Sequence, residues 1–322
     1  MSMSSGHPSS DVNEVGAKAT RLQIVRRIVR RVLGHPGNAQ APVAALTRAV
    51  AWQAYKRIVG RPVDVCFPGG FLVRCHPDSN SASSVIYFNR LFDWDEMQFC
   101  RRFLRPGDRA LDIGGNIGVY TLLMAHLVGE RGHVDVFEPF PRHAARIREN
   151  VSLNHFESRV TINEVALSDA DGESLFVVDR DVSNRVPTST DAAAAKITVA
   201  LRRLDTVVAS REPIAFAKLD VEGLEAAVLR GARGLGVAAP MVWVFETNEG
   251  LLQKRGTSFA EIARLFQETG YDLWDFDVDA NELRAVEGPR ANLFAVKKDA
   301  LGIVQQRLSS SPPPSPSSPW FR

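Results

Sequence analysis

Cysteine is scarce in this chain of 322 residues. The three present, Cys66, Cys75 and Cys100, show no Cys-x-x-Cys spacing, which argues against a disulfide framework and a structural zinc site and favours a reducing compartment. Net charge is nearly absent too. The 39 Lys and Arg stand against 37 Asp and Glu, so binding of nucleic acid by bulk positive charge is not expected. No apolar run reaches the roughly 18 residues that a membrane span needs. No hydrophobic signal segment follows Met1, and a cytoplasmic location is expected. No His–Asp or Cys–His nucleophile pattern is visible, and His126 is read as a structural residue. What remains is an ordinary globular composition, 45% hydrophobic and 24% charged, with enough apolar residues for a sizeable core.

The two ends cannot contribute to that core. Residues 1–20 open on a Ser-rich stretch without periodicity, and residues 309–322 hold five Pro and six Ser. Both are expected to be disordered. Residues 21–60 are expected to form helices. In the first, over 21–34, Leu22, Val25, Val29 and Val32 recur at three- and four-residue steps, and Arg26, Arg27, Arg30 and Arg31 fall opposite. The favoured reading is a short helix that packs its apolar stripe on the protein. The alternative is peripheral contact with an anionic membrane surface. A second helix is expected over about 41–59. A hairpin turning at Pro68-Gly69-Gly70 then opens a domain expected to run over 61–300.

From Arg109 onward, strand and helix patterns alternate. ALDIG, HVDVFE, RVTINEVAL, IAFAKLD and MVWVFE read as core strands. VYTLLMAHLVG, PRHAARIRENVSLNH, VEGLEAAVLRGA and SFAEIARLFQETG read as helices, the last with Ser258 as N-cap. ESLFVV and KITVAL read as an inserted hairpin around a loop at 179–195, and YDLWDFD and NLFAVKK as two closing strands. Repeated βα units imply an α/β fold, a mostly parallel sheet with helices on both faces. Ligands of such sheets bind at the carboxyl ends of the strands, near the switch point.

The first of those ends is Asp112-Ile113-Gly114-Gly115-Asn116-Ile117-Gly118. Glycines allow a sharp turn and close approach of a ligand. The spacing is not Gly-x-Gly-x-x-Gly, and Asp112 precedes it. A carboxylate there repels a pyrophosphate and suits a cationic ligand such as S-adenosylmethionine (SAM). Glu138 ends the second strand, 20 residues past Gly118, where an acid accepts hydrogen bonds from ribose hydroxyls. Ala166 and Leu167, after the third strand, are candidates to cover the adenine. The competing readings are strand-end capping for the acids and ordinary loop packing for Ala166 and Leu167.

At these residues the chain resembles class I SAM-dependent methyltransferases and, more narrowly, the FkbM family. The motifs are FLRPGDRALDIGGNIGVYTLLMA, VDVFEPFP, ENVSLN, VALSDADG and above all AFAKLDVEGLEAAVLRGA, between about Trp94 and Glu246 with a weaker tail to Lys297. The resemblance implies a Rossmann-like, mostly parallel sheet whose last strand is antiparallel, with helices on both faces. It also implies SAM as cofactor and O-methylation of a small natural product, sugar or glycolipid. Asp112, Gly114, Asn116 and Gly118 would line the methionine part of SAM, and Glu138 would hold the ribose. Gly115 stands where the family usually has Ala and is expected to loosen the loop. Tyr87 and Glu96 precede the first strand where such enzymes close over the donor.

For transfer to an alcohol, a nearby base would remove the proton. The fourth strand delivers Asp220 and Glu222 beside the methyl position, and Glu246 ends the fifth. The competing reading of Asp220 and Glu222 is capping of the next helix. No obligatory metal is expected, because the three acids lack a metal-ligand spacing. The partner is expected to be a small-molecule or glycan acceptor, not nucleic acid. The rival functions are an NAD-dependent oxidoreductase on a similar sheet and a non-catalytic, membrane-associated binding protein.

Overall fold

The computed structural model describes residues 21–177, 195–208, 212–286 and 290–310. Among these residues eight strands form the central sheet. Numbered along the chain, they are β1 (Arg109–Ile113), β2 (His133–Phe137), β3 (Val160–Asn163), β4 (Phe216–Leu219), β5 (Val242–Glu246), β6 (Tyr271–Asp277), β7 (Glu282–Ala285) and β8 (Asn292–Lys297). Across the sheet the order is β3-β2-β1-β4-β5-β8-β6-β7. β1 to β5 are parallel, and β8 runs antiparallel between β5 and β6. The strand order reverses between β1 and β4, which places the switch-point crevice at their carboxyl ends.

Alternation along each strand sorts the side chains onto two faces. Ala110, Phe216, Val244 and Phe294 point to one apolar layer, where Phe99 packs at 4.6 Å from Phe294 and 6.2 Å from Phe216. Leu111, Leu219, Phe245 and Leu293 point to the other, against the helix Phe259–Glu268. This is the expected α/β sheet, mostly parallel, with helices on both faces and an antiparallel last strand.

Four helices precede β1: α1 (Arg21–Gly34), α2 (Pro42–Ile58), α3 (Asn80–Tyr87) and α4 (Trp94–Phe103). The hairpin forms as expected, pairing Val63–Cys66 with Leu72–Cys75. α2 is pinned to α3 by polar contacts. Trp52 Nε1 donates to Ser83 Oγ at 3.0 Å, and Arg48 Nε donates to the Ile86 carbonyl at 3.0 Å. Ser258 caps its helix as the sequence predicts, accepting from the Glu261 amide.

Four expectations need correction. The third strand stops at Asn163. Ala166–Leu167 pairs instead with Lys196–Arg202, beside Gly172–Val177, in a separate three-stranded sheet. The helix read from VEGLEAAVLRGA begins only at Glu225, because Glu222 and Gly223 take positive φ of 55° and 94°. The closing pair of strands is a trio, since β7 follows β6 in the chain before β8 and pairs with β6 at the sheet edge. β7 is an exposed edge, so its residues carry little apolar pattern. The chain then continues into a helix, Leu301–Ser309, which buries Val304 and Leu308 and joins Arg307 to Asp108 at 2.6 Å. The sequence-predicted disorder of 1–20 and of the tail lies outside the described residues, apart from Ser309 and Ser310. Most of the 179–195 loop also lies outside them.

Candidate active site

The loop after β1 is shaped by steric demand. Gly114 has φ of 89°, and a Cβ there would sit 1.9 Å from the backbone oxygen of Asp220. Only glycine lets the β1 and β4 ends come this close. A Cβ on Gly115 would meet Val136 Cγ2 at 2.3 Å. The sequence-based expectation that glycine loosens the loop here is therefore reversed: Gly115 is closely packed, and there is no room for Ala unless Val136 moves.

The loop amides are already engaged. Gly114 N and Gly115 N donate to the Phe137 carbonyl at 2.9 and 3.3 Å, and Gly118 N donates to the Gly115 carbonyl at 2.8 Å. Asn116 N donates to Glu138 Oε2 at 2.8 Å, and Phe140 N donates to Glu138 Oε1 at 3.0 Å. A loop built for a pyrophosphate turns such amides toward its ligand. Here a buried carboxylate and carbonyls occupy them.

Around this loop opens a cleft with both polar and apolar walls. Gly114, Asn116, Glu138, Asp220 and Glu222 supply its polar lining, with His143 at 3.5 Å from Glu138. Phe137, Phe140, Val165, Ala166, Leu167 and Phe176 supply apolar walls, Phe140 meeting Phe176 edge to face at 5.8 Å. Among the described residues no Lys or Arg lines it. Burial pushes the Glu222 carboxyl up to about 7, and the neighbouring Asp220 and Glu225 carboxylates add to the shift.

A second, smaller cleft lies on the other side of Asp220. Strand periodicity builds its floor. Asp112, Lys218, Glu246 and Asn292 share one face of the sheet on successive strands, with Asp112 beside Lys218 and Glu246 beside Asn292 in register. Lys218 is 8% exposed, and its Nζ lies 2.7 Å from Asp220 Oδ2 and 4.7 Å from the Tyr120 ring centroid. Burial works to lower the Lys218 pKa, but the carboxylates of Asp220, Asp112 and Asp93 outweigh it and hold the ammonium above the usual lysine range. α4 closes the cleft from above. Asn292 Nδ2 donates to Glu96 Oε1 at 2.7 Å, and Tyr120 Oη donates to Asp93 Oδ2 at 3.1 Å. Burial, reinforced by neighbouring carboxylates, pushes Glu246 and Glu96 each up to about 8.

The fold thus gathers Gly114, Asn116, Glu138, Ala166, Leu167, Asp220 and Glu222 at the first cleft, and Glu96, Asp220 and Glu246 at the second. Three of the candidates stand behind the first cleft. Asp112 is 1% exposed and accepts from Thr121 Oγ1 at 2.5 Å, holding the loop from below. Burial raises its carboxyl, opposed by Lys218. Gly115 and Gly118 pack against Ile147. Tyr87 is not brought to either cleft. Its hydroxyl accepts from Gln53 of α2, and its carbonyl accepts from Asn38 Nδ2 at 2.8 Å. The residue of α3 that does reach the loop is Ser81, whose Oγ donates to Asn116 Oδ1 at 3.0 Å. The capping reading of Glu222 also moves: Glu225 Oε1 accepts from Val221 N and Gly223 N, each at 3.2 Å. Sequence reasoning missed Asp93, Tyr120, His143, Phe140, Phe176 and Asn292. Only Phe140 and His143 had a nearby signal, standing just after the acid that ends β2. Among the described residues no group of three His, Cys, Asp or Glu is placed to hold a metal ion.

Comparison with known proteins identifies the family. The family described as "Methyltransferase FkbM domain" matches residues 112–273. The 31-O-demethyl-FK506 methyltransferase FkbM of Streptomyces tacrolimicus is 31% identical over 160 residues, covering 40% of this chain and 60% of that protein. The protein-L-isoaspartate O-methyltransferase of Ignicoccus hospitalis is 44% identical over 48 residues, covering 15% of this chain and 23% of that protein. The chain therefore spans less than two thirds of the length of these curated relatives. Among solved structures, a SAM-dependent O-methyltransferase of Thermotoga maritima has a TM-score of 0.40 at 15% identity, covering 74% of this chain and 93% of that one. A Streptococcus mutans methyltransferase-like chain in complex with SAH has a TM-score of 0.39 at 12% identity, covering 63% of this chain and 95% of that one. The strand order and the family match, not these structural likenesses, define the fold. The chain belongs to the FkbM methyltransferase domain family, whose members are SAM-dependent methyltransferases built on the class I fold.

Proposed function

We propose that this chain is a SAM-dependent O-methyltransferase that moves a methyl group to a hydroxyl of a small natural product, sugar or glycolipid. The observation that carries the reading is the pair of clefts meeting at Asp220. One is suited to a nucleoside with a cationic chain, and the other presents carboxyl groups to an acceptor. The names of both curated relatives specify methylation at oxygen. Residues 61–300 are taken as the catalytic domain, with 21–60 appended to it.

The first cleft fits SAM on this chain's own features. The cradle at Gly114 would be filled by any Cβ, three carboxylates line the cleft, and the loop amides are closed to phosphate. When bound, SAM supplies an electrophilic methyl group on a sulfonium. Glu138 has lone pairs left on both oxygens to accept from ribose hydroxyls while it holds the loop. Asn116 and Gly114 border the methionine part, and Asp112 keeps the loop in place from behind. Ala166, Leu167 and Phe140 offer apolar cover for the adenine. Asp220 and Glu222 set a negative field that favours a cation.

On the acceptor side, Glu246 is the proposed general base, receiving the hydroxyl proton as the oxygen attacks. A carboxyl held near 8 is a stronger base than an ordinary one and still ionises close to neutral pH. Lys218 fixes Asp220, and Glu96 with Asn292 orients the acceptor. Among the described residues Lys218 is the only cation lining this cleft, and it is already engaged, so phosphate-bearing acceptors such as nucleic acid are disfavoured.

The test is incubation of the chain with methyl-labelled SAM and a small-molecule extract, followed by mass spectrometry of labelled products. Label on an oxygen is expected. Label on nitrogen or carbon, or calorimetry showing NAD bound and S-adenosylhomocysteine ignored, would overturn the reading.

A further inference from the structure

α2 is apolar on two opposite faces. Its inner face, Ala45, Ala49 and Trp52, is buried against α3. Its outer face repeats the pattern half a turn away. Val43, Val50 and Ile58 recur at seven- and eight-residue spacing and are 77%, 69% and 81% exposed. Between them stand Thr47 and Ala54, both exposed. Thr47 turns its hydroxyl back onto the Val43 carbonyl at 3.0 Å, so even this polar group is satisfied within the helix. A stripe of this kind on a helix normally faces a partner. Ile24, Val25 and Leu33 of α1 and Val59 are exposed as well. Of the ten large apolar side chains exposed among the described residues, seven belong to these two helices and their connection to the hairpin.

The charge of the same segment identifies what it meets. Residues 21–61 hold nine of the 39 basic residues and none of the 37 acidic ones. The rest of the chain is acidic by seven charges, with 30 basic residues against 37 acidic. Arg26, Arg27, Arg30 and Arg31 of α1 are all exposed. A second copy of this surface would bring like charges together. Nucleic acid would satisfy the arginines and leave the Val and Ile stripe in water. An interface of anionic headgroups over acyl chains satisfies both. Among the described residues no helix is long and apolar enough to cross a membrane, so the contact is with its surface.

We propose that α1 and α2 form a docking surface for an anionic lipid membrane, with the outer stripe of α2 entering the interface and the arginines of α1 meeting the headgroups. The unit adjoins the acceptor side of the catalytic body. His35 Nε2 bonds the Phe92 carbonyl at 3.2 Å, one residue before Asp93. Docking leaves both clefts intact, because none of their lining residues belongs to α1 or α2.

The experiment is flotation of the full chain with vesicles of phosphatidylcholine alone and of phosphatidylcholine with about one third phosphatidylglycerol. At least about tenfold more protein is expected with the anionic vesicles, falling as salt is raised. Val50→Asp with Ile58→Asp is expected to reduce the bound fraction by roughly tenfold or more. Arg26→Gln with Arg30→Gln is expected to reduce it by about fivefold or more, for anionic vesicles only. All four positions are exposed, and circular dichroism and SAM affinity are expected to match the parent in both variants. Equal flotation with both vesicle types, or of the Val50/Ile58 variant and the parent, overturns the proposal. So does failure to float, including where light scattering shows a dimer that the Val50/Ile58 substitutions dissolve.

Discussion

The two clefts that meet at Asp220 are built in opposite ways. The first is assembled mainly from strand-end loops, each carrying its chemistry within a few residues of a strand: Gly114 and Asn116 after β1, Glu138 and Phe140 after β2, Ala166 and Leu167 after β3, Asp220 and Glu222 after β4. The second draws Asp93 from the start of α4 and Glu96 from within it, Tyr120 from the helix after the glycine loop, Lys218 from β4, Glu246 from β5 and Asn292 from β8. The first is tied to backbone conformation and tolerates no added atom. The second depends on which face of the sheet a residue occupies and on how far burial moves its protons. A cleft of the first kind can be written into local sequence, whereas one of the second kind is written into packing.

That contrast can be broken most sharply at Glu246. Glu246→Gln is expected to slow methyl transfer by about 10²–10⁴-fold while leaving SAM affinity unchanged, read by steady-state kinetics beside calorimetry. Equal losses in both would place Glu246 on the cofactor side. Gly114→Ala tests the other cleft. The added Cβ meets the Asp220 carbonyl, at a φ that L residues rarely adopt. A loss of about 2–4 kcal/mol of stability is expected, with SAM binding lost, measured by chemical denaturation and titration. Glu138→Ala leaves the Asn116 and Phe140 amides without their acceptor. SAM is expected to bind about ten- to a hundredfold more weakly, with a smaller change in melting temperature.

Protons provide a subtler test. In the fold, Glu222 and Glu246 titrate at about 7 and 8, above their ordinary value of 4.5. Between those limits the folded chain holds protons that the unfolded chain has released. Stability is therefore expected to fall as pH rises from about 4.5 to about 8 and then to level off. A bound cation favours the ionised carboxyls, so SAM binding is expected to release protons near neutral pH. Calorimetry in buffers of different ionisation enthalpy reads this directly, and Glu222→Gln should reduce the release. The smallest effect is expected from Tyr87→Phe. Its hydroxyl faces Gln53 and not a cleft, so SAM affinity should be unchanged and stability should shift by about 1 kcal/mol or less.

Much of the first cleft was legible in the chain itself. A glycine loop, the acid before it and the acid ending the next strand occur at a spacing that local geometry dictates. The role of Asp112 was still misjudged, because sequence cannot tell a side chain that lines a cleft from one that lies beneath it. Tyr87 failed for a related reason: α3 presents Ser81 to the loop and turns Tyr87 toward α2. Asn292 could not be found at all. Its importance comes from lying opposite Glu246 in register, a pairing between residues 46 positions apart.

The sequence alone determined the alternation of strands and helices, the glycine hinge and the acid after β2, because these follow from periodicity, backbone freedom and short-range spacing. Only the tertiary structure decided which carboxyls share a cavity, which are held protonated near neutral pH, and that Asp220 stands between two clefts. Those outcomes depend on strand order and desolvation, and neither acts until the sheet is closed between its helices.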